Sequence, residues 1–223
     1  MGLLDWLFKK NNFKRAEDAY ALTREILWDG LRKSIDLPQT AGRATWLIVH
    51  FTDTFTEVQE KLEQWGLEYE IVSSRLNVNE LERLGPLSTK PSPSRLKLIL
   101  ADLIPEPASL DSSLTNVAEA QIAMIVLERH PQIKHDQRLE AFARSLPCKV
   151  EFGYFLALDD AVIKISIEDQ VVEILKQLGL DDELISSNMV TRRLETVLKR
   201  ISSGFQGDTP CNSAAEWLET NKS

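Results

Sequence analysis

The stretch ATWLIVHF, residues 44–51, constrains this chain most. It is a continuous apolar run, short for a helix, and it suits a strand buried on both faces. Thr54-Phe55-Thr56-Glu57 follows as a capping box, with Phe55, Val58 and Leu62 on one helical face and Gly66 as the stop. YEIVS, residues 69–73, reads as a second strand. Strand, helix and strand joined this tightly predict a parallel sheet with right-handed crossovers and helices packed on its faces.

The remaining chain extends that pattern. Residues 16–35, AEDAYALTREILWDGLRKSI, predict a helix with Tyr20, Leu27, Leu31 and Ile35 on its apolar stripe, broken by Pro38 and Gly42. A short helix is expected over 79–84, and the Pro/Ser-rich stretch 85–95 reads as a flexible connection. LKLILADLI (96–104) is a third strand and PEPASLDSS (105–113) a loop. AQIAMIVLE (120–128) is a fourth strand, with helix as the alternative its composition also allows. A helix over 136–145 closes at Pro147, and VEFGYFLAL (150–158) is a fifth strand. Helices over 168–178 and 188–202 end at Gly179 and near Gly204. After a loop, Ser213-Ala214-Ala215-Glu216 starts a last short helix carrying Trp217 and Leu218. The expected organisation is a segment 1–15, one α/β domain over 16–203, and a tail 204–223, which suits a chain of 223 residues.

The first segment, MGLLDWLFKKNNFKR, sets Leu3, Leu4, Leu7 and Phe8 on one helical stripe with Lys9, Lys10, Lys14 and Arg15 behind. Such a helix lies on a membrane surface, or docks on its own domain or a neighbour. Trp6 stands where an N-myristoylation signal needs Ser or Thr. No apolar run reaches the roughly 18 residues of a membrane span, and no secretory cleavage pattern opens the chain. With two cysteines in the whole chain, the sequence suits the cytoplasm.

A formal net charge of −8 opposes general nucleic-acid binding. Cys148 and Cys211, and His50, His130 and His135, lack a local metal-ligand spacing, so the sequence predicts no metal site. His135 and Ser145 could be drawn with an aspartate as a triad, but nothing in their spacing supports one. The chain has no G-x-x-x-x-G-K-[ST] or G-x-G-x-x-G loop to cradle phosphates. The pairs Asp159-Asp160 and Asp181-Asp182 are expected at helix starts or in solvent rather than as catalytic dyads.

Three stretches carry a family resemblance. LTREILWDGL (22–31) looks like a helix of the form L-T-x-E-x-x-aromatic-D. ERHPQIKHDQRLEAFARSLPCKVEFGYFLALDDAV (128–162) follows an E-R-H, then D-x-Q-L, an arginine-rich turn, and F-Y-L-S-L-E-D-D-L. SSNMVTRRLETVLKRI (186–201) looks like an S-G-M-x-x-R helix. In this order, and with the strand–helix–strand at 45–73, they resemble the second motor domain of the SecA preprotein translocase ATPases over roughly residues 16–201. The resemblance implies a RecA-like three-layer α/β fold with a mostly parallel sheet and flanking helices.

The departures bear on activity. Laid without gaps from Glu128-Arg129-His130, the arginines of the family's R-G-R-A-G-R-Q-G-D fall on Glu140, Phe142 and Ser145, and its glycines on Ala141, Arg144 and Pro147. A slipped register would restore Arg144 alone. An arginine there stabilises charge on a transferring phosphoryl group, and a glutamate would repel it. Where the family has A-T-N-M-A-G-R-G-T-D, this chain reads ADLIPEPASL. The resemblance therefore implies a motor-like domain that is not an ATPase and needs no cofactor. It would bind a protein: a translocase component, a separate motor half, or a copy of itself. Glu128 and Arg129 are expected to tie a strand end to a neighbouring helix. Leu3, Trp6, Leu7, Phe8, Trp217 and Leu218 are the interaction candidates, with burial in their own core as the equal alternative. Two other readings stand beside this one. The domain could complete an ATPase with a phosphate-loop subunit, with Arg129, Arg138 and Arg144 reaching phosphate. It could instead be a peripheral membrane protein held by residues 1–15.

Overall fold

A computed structural model describes residues 12–39, 43–77, 95–107, 121–165, 172, 183–205 and 207–221. Leu3, Trp6, Leu7, Phe8, the helix expected over 79–84, Asp181-Asp182 and nearly all of 168–178 lie outside them.

The core is a parallel sheet. The strands are β1 (Phe13–Arg15), β2 (Ala19–Ala21), β3 (Ala44–Val49), β4 (Glu70–Val72), β5 (Leu96–Leu100), β6 (Gln121–Val126), β7 (Lys149–Ala157) and β8 (Ile185–Ser186). Their order is β4-β5-β3-β6-β7-β2-β8, with β1 also pairing β7. Every pairing is parallel except β2 with β8. Within the stretch 120–128, Gln121–Val126 is therefore strand. Its neighbours β3 and β7 supply partners for both edges of its backbone, which settles a run that composition left open.

Successive strand residues face opposite layers. Trp46, Ile48, Met124, Val126, Phe152 and Tyr154 pack beneath α3 (Ile133–Ser145), α5 (Asn188–Gly204) and α6 (Ala214–Thr220). Leu47, Val49, Leu98, Ile125 and Leu127 pack against α1 (Arg24–Gln39) and α2 (Thr52–Gln64) on the other face. A short α4 (Ala161–Lys164) follows β7. The result is the expected RecA-like three-layer α/β architecture, with a mostly parallel sheet between two helical layers.

Five local expectations need correction. The strand expected over 96–104 ends at Leu100, and Ala101–Leu103 turn into a 3-10 helix. The helix predicted from residue 16 starts at Arg24, and Ala19–Ala21 form β2. Tyr20 continues the stripe of Leu27, Leu31 and Ile35 by coincidence of spacing. Its backbone is taken instead by β7, with Tyr20 opposite Leu156 and the side chain fully buried. Lys14 and Arg15, expected on the polar face of an N-terminal helix, lie in β1 against Glu151 and Phe152. Helix α1 runs through Pro38 to Gln39 rather than breaking at the proline. Finally, α2 begins at Thr52, before the Thr54 capping box, and its N-cap Phe51 makes no side-chain cap bond.

Candidate functional site

In open parallel sheets, ligands bind beyond the carboxyl ends of the strands. Here β3 ends in His50-Phe51 and the adjacent β6 ends in Leu127-Glu128-Arg129-His130. Glu128 replaces the missing cap of α2. One carboxylate oxygen accepts the His50 and Phe51 amides at 2.7 and 2.9 Å, and the other accepts the Thr54 hydroxyl at 2.6 Å. Burial pushes the Glu128 carboxyl above its ordinary range, and these donors, with the nearby His50, only partly offset the shift. Arg129 is buried, forms an ion pair with Asp136 of α3 at 2.8 Å, and lies 4.1 Å over the Tyr154 ring. Asp136 also meets His50 Nε2 at 2.9 Å. Burial opposes ionisation of Asp136, but Arg129 and the His50 hydrogen bond outweigh it and hold the carboxyl low. Glu128 and Arg129 thus tie the end of β6 to α2 and α3, the structural role expected of them.

The arginines singled out for phosphate are committed elsewhere. Arg138 donates to the carbonyls of Ala101 and Ile104 at 3.0 and 3.4 Å. Arg144, six residues further along α3, pairs with Glu140 at 2.5 Å and lies 4.1 Å over Phe13. Six residues is about 600° of helix, so the two leave α3 in different directions. Arg129 is held by Asp136, and the three do not converge.

Sequence reasoning missed Arg24. It donates to Glu57 at 2.7 Å, to Asp160 at 2.6 Å and to Thr54 at 3.3 Å. With Glu128, Arg129, Ser213 and Ala214 it lines a cavity of about 150 Å³ beside the strand ends. Asp160 begins α4, as expected, and accepts from Arg24. Burial raises its carboxyl more than Arg24 lowers it. A larger depression of about 500 Å³ lies at the opposite edge of the sheet, where Lys14 and Arg43 both pair with Glu151.

The tail covers the carboxyl edge. Trp217 is 1% exposed and Leu218 8%, so both belong to the core rather than to a free surface. Gln132 donates to the carbonyls of Phe205 and Gly207, each at 3.3 Å. The Asn212 carbonyl accepts the Asp53 amide at 3.0 Å, and Asn212 Oδ1 accepts the Thr52 hydroxyl at 2.9 Å, at the start of α2. Under the tail the three histidines meet. His130 stacks on Phe51 at 5.2 Å, lies edge-on to Trp217 at 5.5 Å, and sits 5.3 and 3.9 Å from the rings of His50 and His135. Burial, then the neighbouring histidines, pushes the His130 pKa down to about 3. His135 Nε2 meets Asp208 at 2.8 Å, and Lys134 reaches the same oxygen at 2.6 Å. One sequence signal did exist for this cluster. His50 and His130 each follow a buried strand, and strands adjacent in a parallel sheet bring such residues together.

The mostly parallel sheet between two helical layers is that of a RecA-like α/β fold. In sequence the chain is similar to protein translocase subunit SecA. The subunit of Aliarcobacter butzleri (strain RM4018) is 24% identical over 148 residues, 66% of this chain and 17% of that protein. The subunit of Amoebophilus asiaticus (strain 5a2) is 29% identical over 85 residues, 38% of this chain and 8% of that protein. The chain therefore matches less than a fifth of the length of either relative. Among solved structures, the C-terminal part of the Fun30 ATPase domain aligns with a TM-score of 0.38 at 12% identity, covering 78% of this chain and 53% of that one. No family model matches.

Proposed function

We propose that this chain is a non-catalytic, SecA-like motor domain that serves protein export as a protein-interaction or regulatory module. One observation carries the reading: the seat where a RecA-like domain could take an anion is filled by its own groups. A helix N-terminus beside strand ends attracts phosphate. At α2 the Glu128 carboxylate already accepts the His50 and Phe51 amides, and the Asn212 carbonyl accepts the Asp53 amide. Arg24 and Arg129, which line the cavity beside that seat, are paired with Glu57, Asp160 and Asp136. A triphosphate would meet carboxylates and a packed tail, and would have to displace both. The similarity to SecA supports partners among translocase components, a separate motor half, or a second copy of the chain.

Equilibrium binding of Mg-ATP and turnover, measured with and without purified SecA, test the reading. The expected result is no saturable binding below about 1 mM, about −4 kcal/mol, and no hydrolysis by the chain alone. Micromolar ATP affinity that collapses in Arg24→Ala or Arg144→Ala overturns it. Light scattering of the same mixtures reports the partner: a shift in mass with SecA supports the export link, and a chain that neither shifts nor self-associates contradicts the named partners.

A further inference from the structure

We propose that His130, His135 and Asp208 form a site for a zinc-like divalent cation, which clamps the C-terminal tail to the body of the domain. Their donor atoms all lie within 4.8 Å of one another. His130 follows β6 and His135 lies in the first turn of α3, so both belong to the body. Asp208 belongs to the tail. A cation held by all three would link the two directly, in addition to the tail's hydrogen bonds to Gln132 and α2.

The donor set selects the cation. Two imidazole nitrogens and one carboxylate oxygen suit zinc and its first-row neighbours, whereas calcium and magnesium require oxygen. His135 Nε2 and Asp208 Oδ2 are 2.8 Å apart, and closure around a cation requires that separation to widen by about 0.5 Å for bonds of about 2 Å in tetrahedral geometry. The outer contacts hold the ligands in place. Trp217 Nε1 donates to Asp208 Oδ1 at 3.2 Å, leaving Oδ2 for the metal, and Phe51 and Trp217 wall in His130. The side chains of His135 and Asp208 are about one quarter exposed, which provides an entry path and leaves the fourth position to water. Two existing contacts compete. Lys134 Nζ lies 2.6 Å from Asp208 Oδ2, and the Gln132 amide donates to His130 Nδ1 at 3.0 Å. Because the lysine competes for the same Asp208 oxygen, its removal should strengthen metal binding.

The test uses the full chain without a histidine tag, stripped with chelator, and zinc chloride as titrant in calorimetry. Cobalt substitution reads the coordination geometry from its visible absorption. The expected outcome is one zinc per chain, binding weakened about tenfold or more in both His135→Ala and Asp208→Ala, and binding strengthened in Lys134→Ala. Zinc should also raise the Tm of the unaltered chain and leave that of Asp208→Ala unmoved. Both variants alter partly exposed side chains, and their Tm without zinc checks folding. Affinity weaker than about 100 µM, or affinity unchanged by the His135 and Asp208 substitutions, overturns the site. Neither result depends on whether the chain binds ATP, so this proposal and the proposed function fail separately.

Discussion

Substituting Glu128 separates two roles that its carboxylate could play. Glu128→Ala leaves the His50 amide, the Phe51 amide and the Thr54 hydroxyl without their acceptor at a site 6% exposed. An unsatisfied buried polar group costs about 1–3 kcal/mol. Three of them total about 3–9 kcal/mol, and partial access of water through the adjacent cavity brings the expected loss to about 3–5 kcal/mol. Glu128→Gln keeps one carbonyl oxygen for the two amides. Its NH₂ can donate to Thr54 Oγ1, which leaves a single hydroxyl proton to find a new partner. It also removes a charge that burial disfavours. The expected loss for the amide is therefore at most about 1.5 kcal/mol. Urea unfolding at pH 7, followed by far-ultraviolet circular dichroism, measures both. If the alanine variant loses under about 1 kcal/mol, the capping role is wrong. If the glutamine variant loses as much as alanine, charge rather than acceptor count holds the edge together.

The remaining predictions use other parts of the molecule. Cys148 is buried and its thiol is pushed up to about 12, so a thiol reagent at pH 8 should label the half-exposed Cys211 and reach Cys148 only on unfolding. Two equivalents reacting quickly with the native chain would refute that burial. Burial also raises Tyr20 to about 12, with its Thr191 hydrogen bond opposing. Raised folded pKa values mean that the native state binds more protons above about pH 9, so the contribution of these two groups to stability is flat below that pH and falls as pH rises toward 12. Cys148 alone should account for about 2 kcal/mol by pH 10.5, and Cys148→Ala should flatten the slope seen in urea midpoints. Trp217→Ala removes a fully packed indole between His130, Phe205 and Asp208 and should cost about 3–5 kcal/mol by the same assay. A loss below about 1 kcal/mol would show the tail to be loosely attached.

The central layer was legible in the sequence because its signal is local. ATWLIVHF and VEFGYFLAL carry enough apolar side chains in register to define buried strands wherever they lie. Gly66 marks the end of a helix whose left-handed stop, at φ 66°, suits glycine, although the helix starts two residues before the Thr54 capping box. Residues 13–21 were misread because helical and strand periodicities coincide over so few residues; the unpaired edge of β7 decided between them. Trp217 showed the same limit, since an apolar residue near a chain end reads alike whether it faces a partner or its own core.

From sequence alone came the layered α/β fold and the SecA-like order of its pieces. Each rests on residues close together along the chain. Only the tertiary structure decided that Glu128 caps α2, that Arg24 meets Asp160, and that His130, His135 and Asp208 share one pocket. Those contacts span 73 to 136 residues, apart from the shorter links within the β6–α3 turn. Sheet order alone brings such distant residues within bonding distance, and hydrogen bonds and ion pairs act only across a few ångströms.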